Sequence, residues 1–366
     1  MALQVGIVGL PNVGKSTLFN ALTSAKAEAA NYPFCTIDPN VGVVTVPDER
    51  LDKITGFVKP QSVVPTAMEF VDIAGIVKGA SQGEGLGNQF LGHIKQTDAI
   101  VHVVRCFDDP NVIHVAGSVD PLRDIEIINT ELMLADFDTA EKKLKRIEKA
   151  AKTSADSKTK MELDVTARIH QALAQGKPAR SVVLNELEAP FARDMHLLTS
   201  KPVLYACNVS DTDFAAGGNA WVRDVEKRAA EENNKTIIIC SSMEADIEQL
   251  PPEERAEFLA SLGATEPGLN RLIREAYSLL GLATYFTAGE KEVRAWTIKI
   301  GMKAPQAAGV IHTDFEKGFI RAETYHCEEL FALKSEAAVK EAGKYRSEGK
   351  EYVVKDGDIL FFRFNV

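Results

Sequence analysis

Residues 9–16 read Gly-Leu-Pro-Asn-Val-Gly-Lys-Ser. In the spacing G-x-x-x-x-G-K-[ST] the glycines let the backbone curl so that successive N–H groups face inward, and a helix starting there adds partial positive charge. Such a loop binds phosphate: Lys15 reaches the β- and γ-phosphates, and the Ser16 hydroxyl ligates Mg²⁺. The context agrees, since a short apolar strand, Leu3 to Val8, leads in and a helix carrying Leu18, Phe19 and Leu22 on one side leads out.

A phosphate loop that switches needs a metal ligand and a γ-phosphate sensor. Val71-Asp72-Ile73-Ala74-Gly75 supplies both in a D-x-x-G arrangement at a strand end, with Asp72 on Mg²⁺, directly or through water, and the Gly75 amide toward the γ-phosphate. Thr36, in the polar segment Tyr32-Pro33-Phe34-Cys35-Thr36, is the candidate threonine that closes on Mg²⁺; its plain alternative is a turn residue beside Pro33. The residue after Gly75 is Ile76, where many switch GTPases carry a glutamine that orients water. An isoleucine cannot do this, so hydrolysis needs another polar group, a partner or an ion. Gly79, Gly83, Gly85 and Gly87 mark a loop able to deliver one.

Base recognition belongs at later strand ends. Guanine-specific switches use N-K-x-D; here the string is Asn208-Val209-Ser210-Asp211, with valine in the lysine position. The Asn208 carboxamide is able to pair with N7 and N6 of adenine, while Asp211 keeps guanine open on chemistry alone. Ser241-Ser242-Met243, after the next strand, forms the other wall. His114 lies in the polar loop after the strand ending at Cys106, on the ligand side of an open α/β sheet. It reads either as a surface hydrogen-bonder or as a catalytic group.

The elements that must hold these residues follow from periodicity. Apolar, β-branched runs at Leu3 to Val8, Val41 to Val46, Met68 to Ile73, Ala99 to Cys106, Pro202 to Asn208 and Thr236 to Ser241 alternate with helical patterns, which predicts a doubly wound, mainly parallel α/β sheet. From Glu131 to about Ser200 the β pattern stops. Phe137, Ala140, Leu144, Ile147 and Ala151, then Met161, Val165, Ile169 and Ala172 after a polar break, recur at 3–4 spacing and predict a helical hairpin. From Ala283 onward, short strands (Arg294 to Ile300, Gly318 to Glu323, Tyr352 to Val354, Ile359 to Phe364) with one helix near Glu336 to Ser347 predict a separate α+β unit. That unit has 13 Lys and Arg against 13 Asp and Glu, so the rest carries the whole net charge of −10. Loose attraction to nucleic acid or anionic membrane is excluded, and any polyanion must be met locally. The longest apolar runs are strand-length, the Met-Ala-Leu-Gln start carries no secretion signal, and five scattered cysteines without C-x-x-C spacing fit a reducing cytosol.

Taken together, the phosphate loop, Asp72-Ile-Ala-Gly75, the stretch Gly79-Ala-Ser-Gln-Gly-Glu-Gly-Leu-Gly-Asn88, Asn208-Val-Ser-Asp211 and the tail Asp314-Phe-Glu-Lys-Gly-Phe-Ile-Arg321 resemble the YchF family over the full length and in the same order. This is the Obg-related branch of the translation-factor P-loop GTPase class whose members prefer ATP. The resemblance implies a P-loop domain (1–130 and 200–282), a coiled-coil-like helical insertion (131–199) and a C-terminal β-grasp (TGS) domain (283–366). It implies slow hydrolysis of ATP to ADP and phosphate, ribosome or ribosomal RNA as partner, and a cytoplasmic location without membrane or DNA. Residue by residue, it makes Asn12, Val13, Gly14, Lys15, Ser16 and Thr17 the phosphate cradle, and Ser16 and Thr36 the Mg²⁺ ligands. It makes Asn208 and its neighbours the adenine pocket and His114 the catalytic loop histidine. Asn12 matches an asparagine that coordinates K⁺ in cation-activated relatives, where the ion neutralises charge developing at the β–γ bridge. Members commonly carry Glu where this chain has Asp211, a departure that bears on ATP over GTP selection. Two alternatives remain: a GTPase of the same fold, or a non-catalytic, nucleotide-sensing binding protein.

Overall fold

A computed structural model describes residues 3–24, 40–75, 86–153, 156–261 and 264–365. The chain begins with β1 (Gln4–Val8) and α1 (Lys15–Ser24), then runs through β2 (Val41–Thr45), α2 (Glu49–Val58), β3 (Ser62–Val64) and β4 (Ala67–Asp72). After α3 (Leu86–Gln96) and β5 (Ala99–Arg105) come the long helices α4 (Pro121–Thr153) and α5 (Ser157–Ala174), then the short α6 (Ala189–Arg193). The segment closes with β6 (Val203–Asn208), α7 (Asp211–Ala215), α8 (Ala220–Glu231), β7 (Lys235–Ile239), α9 (Ser241–Gln249), α10 (Pro252–Ser261) and α11 (Gly268–Leu279).

Six of these strands form one sheet in the order β2-β4-β1-β5-β6-β7. From β4 to β7 every neighbouring pair is parallel, and β5 and β6 are buried along their whole length, as a sheet covered on both faces requires. Only β2 runs against its neighbour, with Asp72 N–H bonding the Asn40 carbonyl and Val46 N–H bonding that of Thr66. The register sets Ile7 opposite Asp72, Arg105 opposite Asn208 and Asn208 opposite Ile239. The carboxyl ends of β1, β4, β5, β6 and β7 therefore share one edge, where open α/β sheets bind ligands.

The predicted hairpin is α4 and α5. At 33 residues, α4 is roughly 50 Å long. Ala140, Val165, Ile169 and Leu173 close the seam with Phe191, Met195 and Leu197. The buried Asp136 carboxylate takes the N–H groups of Leu198 (2.8 Å) and Thr199 (2.7 Å), fixing the returning chain to the middle of α4.

The chain divides into two compact units. The helical hairpin groups with the parallel sheet, whereas Val43–Met68 groups with the C-terminal residues from Ile273 onward. In that second unit are β8 (Leu282–Ala288), β9 (Glu292–Lys299), α12 (Ala304–Ile311), α13 (Thr313–Lys317), β10 (Phe319–His326), α14 (Cys327–Leu333), α15 (Glu336–Glu341), β11 (Arg346–Glu348) and β12 (Asp358–Phe364). The sheet order is β11-β10-β12-β8-β9-β3, with the last strand, β12, parallel to β8 at the centre. A β8–β9 hairpin, a helix across one face and a central parallel last strand make a β-grasp. Ala304, Ala307 and Ala308 of α12 pack on one face with Tyr285 and Phe362; Leu51 and Ile54 of α2 pack on the other with Phe286, Val293 and Leu330. β3 adds an edge strand parallel to β9, and Arg50 clamps Asp48 at 2.8 Å and Asp356 at 2.6 Å.

Three local expectations need correction. β8 and α12 carried no periodic signal, because Leu-Ala-Thr-Tyr-Phe-Thr-Ala sits across the presumed boundary and Ala-Pro-Gln-Ala-Ala-Gly is nearly all small residues. Tyr352 to Val354, expected as a strand, contributes one isolated bridge, Lys303 to Val353. The helix near Glu336 stops at Glu341, and Arg346–Glu348 is a strand.

Candidate functional site

The turn between β1 and α1 is held in a strained shape: Asn12 has φ 63° and Gly14 φ 91°. A side chain at Gly14 would be strained by that backbone and would also put a Cβ 2.2 Å from Asn208 Nδ2, so glycine is required there. Lys15 is 8% exposed and its ammonium lies 3.1 Å from Asp72 Oδ1. Ser16 and Thr17 are exposed at the first turn of α1, and Gly75 lies against Pro11 of the loop, where an added Cβ would stand 3.3 Å away. Four of the expected residues, Lys15, Ser16, Asp72 and Gly75, are thus gathered at one end of the sheet. Thr36, Ile76 and the glycines Gly79, Gly83 and Gly85 lie outside the described residues.

Beside the loop is a cavity of about 630 Å³. Asn12 and Gly14 of the turn between β1 and α1, with Thr17 of α1, form one end of it. Asn208 to Thr212 with Ser241 and Ser242 form one wall, and Phe107 to Pro110 with Val112 the other.

Asn208 is bonded at both ends of its carboxamide. Its Nδ2 donates to the Val13 carbonyl at 2.8 Å and its Oδ1 accepts the Ser241 N–H at 2.9 Å, so the buried carboxamide joins the phosphate loop to the start of α9. One N–H and one lone pair are thereby committed, and the second of each remains. Val13 contributes this carbonyl while its side chain is buried.

Val209 lines the cavity and is 3% exposed. Asp211 Oδ1 accepts from the Cys240 thiol at 2.8 Å. Burial, with the neighbouring Asp211, pushes the Cys240 thiol up to about 11, so it stays protonated and keeps donating. Ser241 Oγ is buried without a partner among the described residues, ready for a polar ligand edge. Met243 instead turns into an apolar cluster with Cys240, Ile247 and Leu259 and does not line the cavity.

His114 is not on the cavity wall either. It is 8% exposed; its Nδ1 accepts the Ala116 N–H at 3.0 Å, which leaves Nε2 to donate to Asp124 Oδ2 at 2.8 Å. Asn12 reaches the same loop, donating from Nδ2 to the Ile113 carbonyl at 3.1 Å. Phe107 to Val112 belongs to the polar loop expected on the ligand side of the sheet, but of that loop only His114 is singled out by the sequence.

A glycine-shaped anion loop between a strand and a helix, with an aspartate ending the adjacent parallel strand, defines a P-loop nucleotide-binding protein. A family model described as "50S ribosome-binding GTPase" matches residues 4–158, and a YchF GTPase C-terminal model, described as a protein of unknown function, matches residues 282–365. Over its whole length the chain is 59% identical to "Ribosome-binding ATPase YchF" of Bacillus subtilis (strain 168) and 56% to that of Escherichia coli O157:H7, each covered completely. It is 44% identical to "Obg-like ATPase 1" of Caenorhabditis elegans, covering 99% of this chain and 92% of that one. The solved structure of the Schizosaccharomyces pombe YchF GTPase superposes with a TM-score of 0.89 at 43% identity, covering 99% of this chain and 98% of the other. The chain belongs to the YchF family, as its motifs led one to expect.

Proposed function

We propose that this chain binds ATP with Mg²⁺, hydrolyses it slowly to ADP and phosphate, and uses the nucleotide state to govern association with the ribosome. The observation that carries the choice of adenine is at the base end of the cavity. A guanine reader uses both carboxylate oxygens of its aspartate and a lysine on the base; here Asp211 Oδ1 is held by Cys240 and the lysine position is Val209. The names of the relatives support ATP, although the fission-yeast structure is titled a GTPase. A GTPase reading rests on the retained acid at Asp211 and is the alternative to test.

The donor set fits a hard divalent cation: the Ser16 hydroxyl on the first turn of α1, and the Asp72 carboxylate, already beside a cation in Lys15. Thr36 is assigned as the closing ligand. Bound Mg²⁺ would neutralise charge at the β–γ bridge. In this account Lys15 leaves Asp72 for the β- and γ-phosphates, the loop amides and Gly75 N–H hold the phosphate oxygens, and Asn12 Oδ1 is the donor that would hold K⁺. When Asn12 turns to the phosphates it releases the Ile113 carbonyl, and the loop carries His114 from Asp124 toward the attacking water. The buried, doubly bonded histidine is then the resting form, which accounts for slow turnover.

Ribosome association has support at the free end of the hairpin. Between residues 142 and 160 there are eight Lys and Arg against two Asp and Glu, in a chain of net charge −10. Lys142, Arg146, Lys149 and Lys152 are exposed along α4 at 3–4 spacing, so they form one stripe. A local cationic stripe on an acidic protein is suited to RNA phosphates. A cytoplasmic location follows from this reading, and no described helix is long and apolar enough to cross a membrane.

Steady-state ATPase measured with Mg²⁺ and either K⁺ or Na⁺, with and without ribosomes, tests the enzyme reading. Turnover above background, faster in K⁺, supports it; no turnover under any condition leaves the non-catalytic binding protein.

A further inference from the structure

Arg105 is 1% exposed at the last position of β5, and among the described residues no carboxylate pairs with it. Burying a guanidinium without a counter-ion is expensive, so its surroundings should explain it. Nε donates to the Phe107 carbonyl at 3.1 Å and Nη2 to the Val112 carbonyl at 3.0 Å; the guanidinium carbon sits 4.6 Å from the centre of the Phe107 ring, and Nη1 is buried with no partner. One planar fork therefore ties both ends of the segment 107–112, which forms a cavity wall. The rest of the segment helps: Cys106 N–H bonds the Asn208 carbonyl at 2.8 Å, and Asp109 closes an inner turn by accepting the Asn111 N–H at 2.8 Å. These fix the root and the middle, but neither closes the loop back on β5. Among the described residues only the arginine spans it.

We infer that Arg105 is a positioning residue for nucleotide binding: it holds the 107–112 wall in the shape that encloses the base and ribose, a wall that meets the phosphate loop at its far end through the Asn12–Ile113 bond. The inference rests on the reading of the cavity as an adenine-nucleotide site. It requires a fork rather than a charge, because two carbonyls and an aromatic face are met at once, and lysine, with a compact ammonium, cannot reproduce this.

The test compares two probes on one folded sample. ADP engages the wall and the phosphate loop, whereas Mg²⁺-tripolyphosphate engages the loop alone. In Arg105→Lys, and in Arg105→Gln as a second variant without the charge, the Kd for ADP should rise at least tenfold and the Kd for tripolyphosphate should stay within twofold, with KM for ATP rising more than kcat falls. Equal losses for both probes, or no loss for ADP, would overturn the assignment. So would failure of both variants to fold, which would place Arg105 in the core. Wild-type protein that binds tripolyphosphate but not ADP would instead defeat the adenine reading on which the inference rests.

Discussion

The Asn208 carboxamide donates to the carbonyl of Val13 at 2.8 Å, joining two residues 195 positions apart. The residue that enters the sequence motif as a base reader is thus also the strut that fixes the back of the phosphate loop.

Replacing Asn208 by alanine should therefore weaken phosphate and base binding together. It strands the Val13 carbonyl and the Ser241 N–H, which are buried, at a cost of about 2–3 kcal/mol in stability. Affinity for ADP and for tripolyphosphate should both fall at least tenfold by calorimetric titration. A loss confined to ADP would mean that Asn208 serves only the base.

For His114→Ala, kcat for ATP should drop on the order of 10²-fold, the typical worth of a positioned acid or base. The Kd for ADP should stay within twofold, because the histidine lies off the cavity wall. If kcat is unchanged, the role of His114 is confined to its bonds with Asp124 (2.8 Å) and Ala116 (3.0 Å).

Glu244 gives a pH dependence. It is fully buried and accepts the N–H groups of Gly268 (2.8 Å) and Leu269 (3.3 Å). Burial, which outweighs those two bonds, raises its carboxyl from 4.5 to about 7. A raised folded value means that the stabilisation is complete below pH 4.5 and is lost as pH climbs through about 7. Wild-type protein should lose on the order of a few kcal/mol between pH 5 and pH 8 from this group, and Glu244→Gln should show a flatter curve in urea melts. Equal slopes would remove Glu244 as the cause.

How far the sequence reaches can be judged from these same residues. Lys15, Ser16, Asp72 and Gly75 were legible because the chemistry of phosphate fixes both residue type and spacing over short stretches of chain. The parallel sheet was legible because buried strands such as β6 and β5 are almost wholly apolar over residues 203–207 and 100–104. The second role of Asn208 was not, since its partner is set by the register of three strands. The attachment of Val43–Met68 to the β-grasp was hidden for a similar reason: Leu51 and Ile54 show an amphipathic helix, but not that Phe286 and Val293 cover it. Arg105 offered only the oddity of a charge ending an apolar strand.

The hairpin stripe makes a prediction about salt. Changing Lys142, Arg146, Lys149 and Lys152 to glutamine should weaken ribosome co-sedimentation and make the plot of log K against log salt shallower by up to about one unit for each phosphate contact removed. An unchanged slope would move the contact to another surface.

The central claim is that the cavity beside the phosphate loop reads adenine because Val209 replaces the guanine-stacking lysine and Asp211 is partly occupied by Cys240. Parallel titrations of ADP and GDP into the nucleotide-free protein, at matched Mg²⁺, measure this directly. ADP should bind at least tenfold more tightly; equal affinities, or a preference for GDP, would contradict the claim.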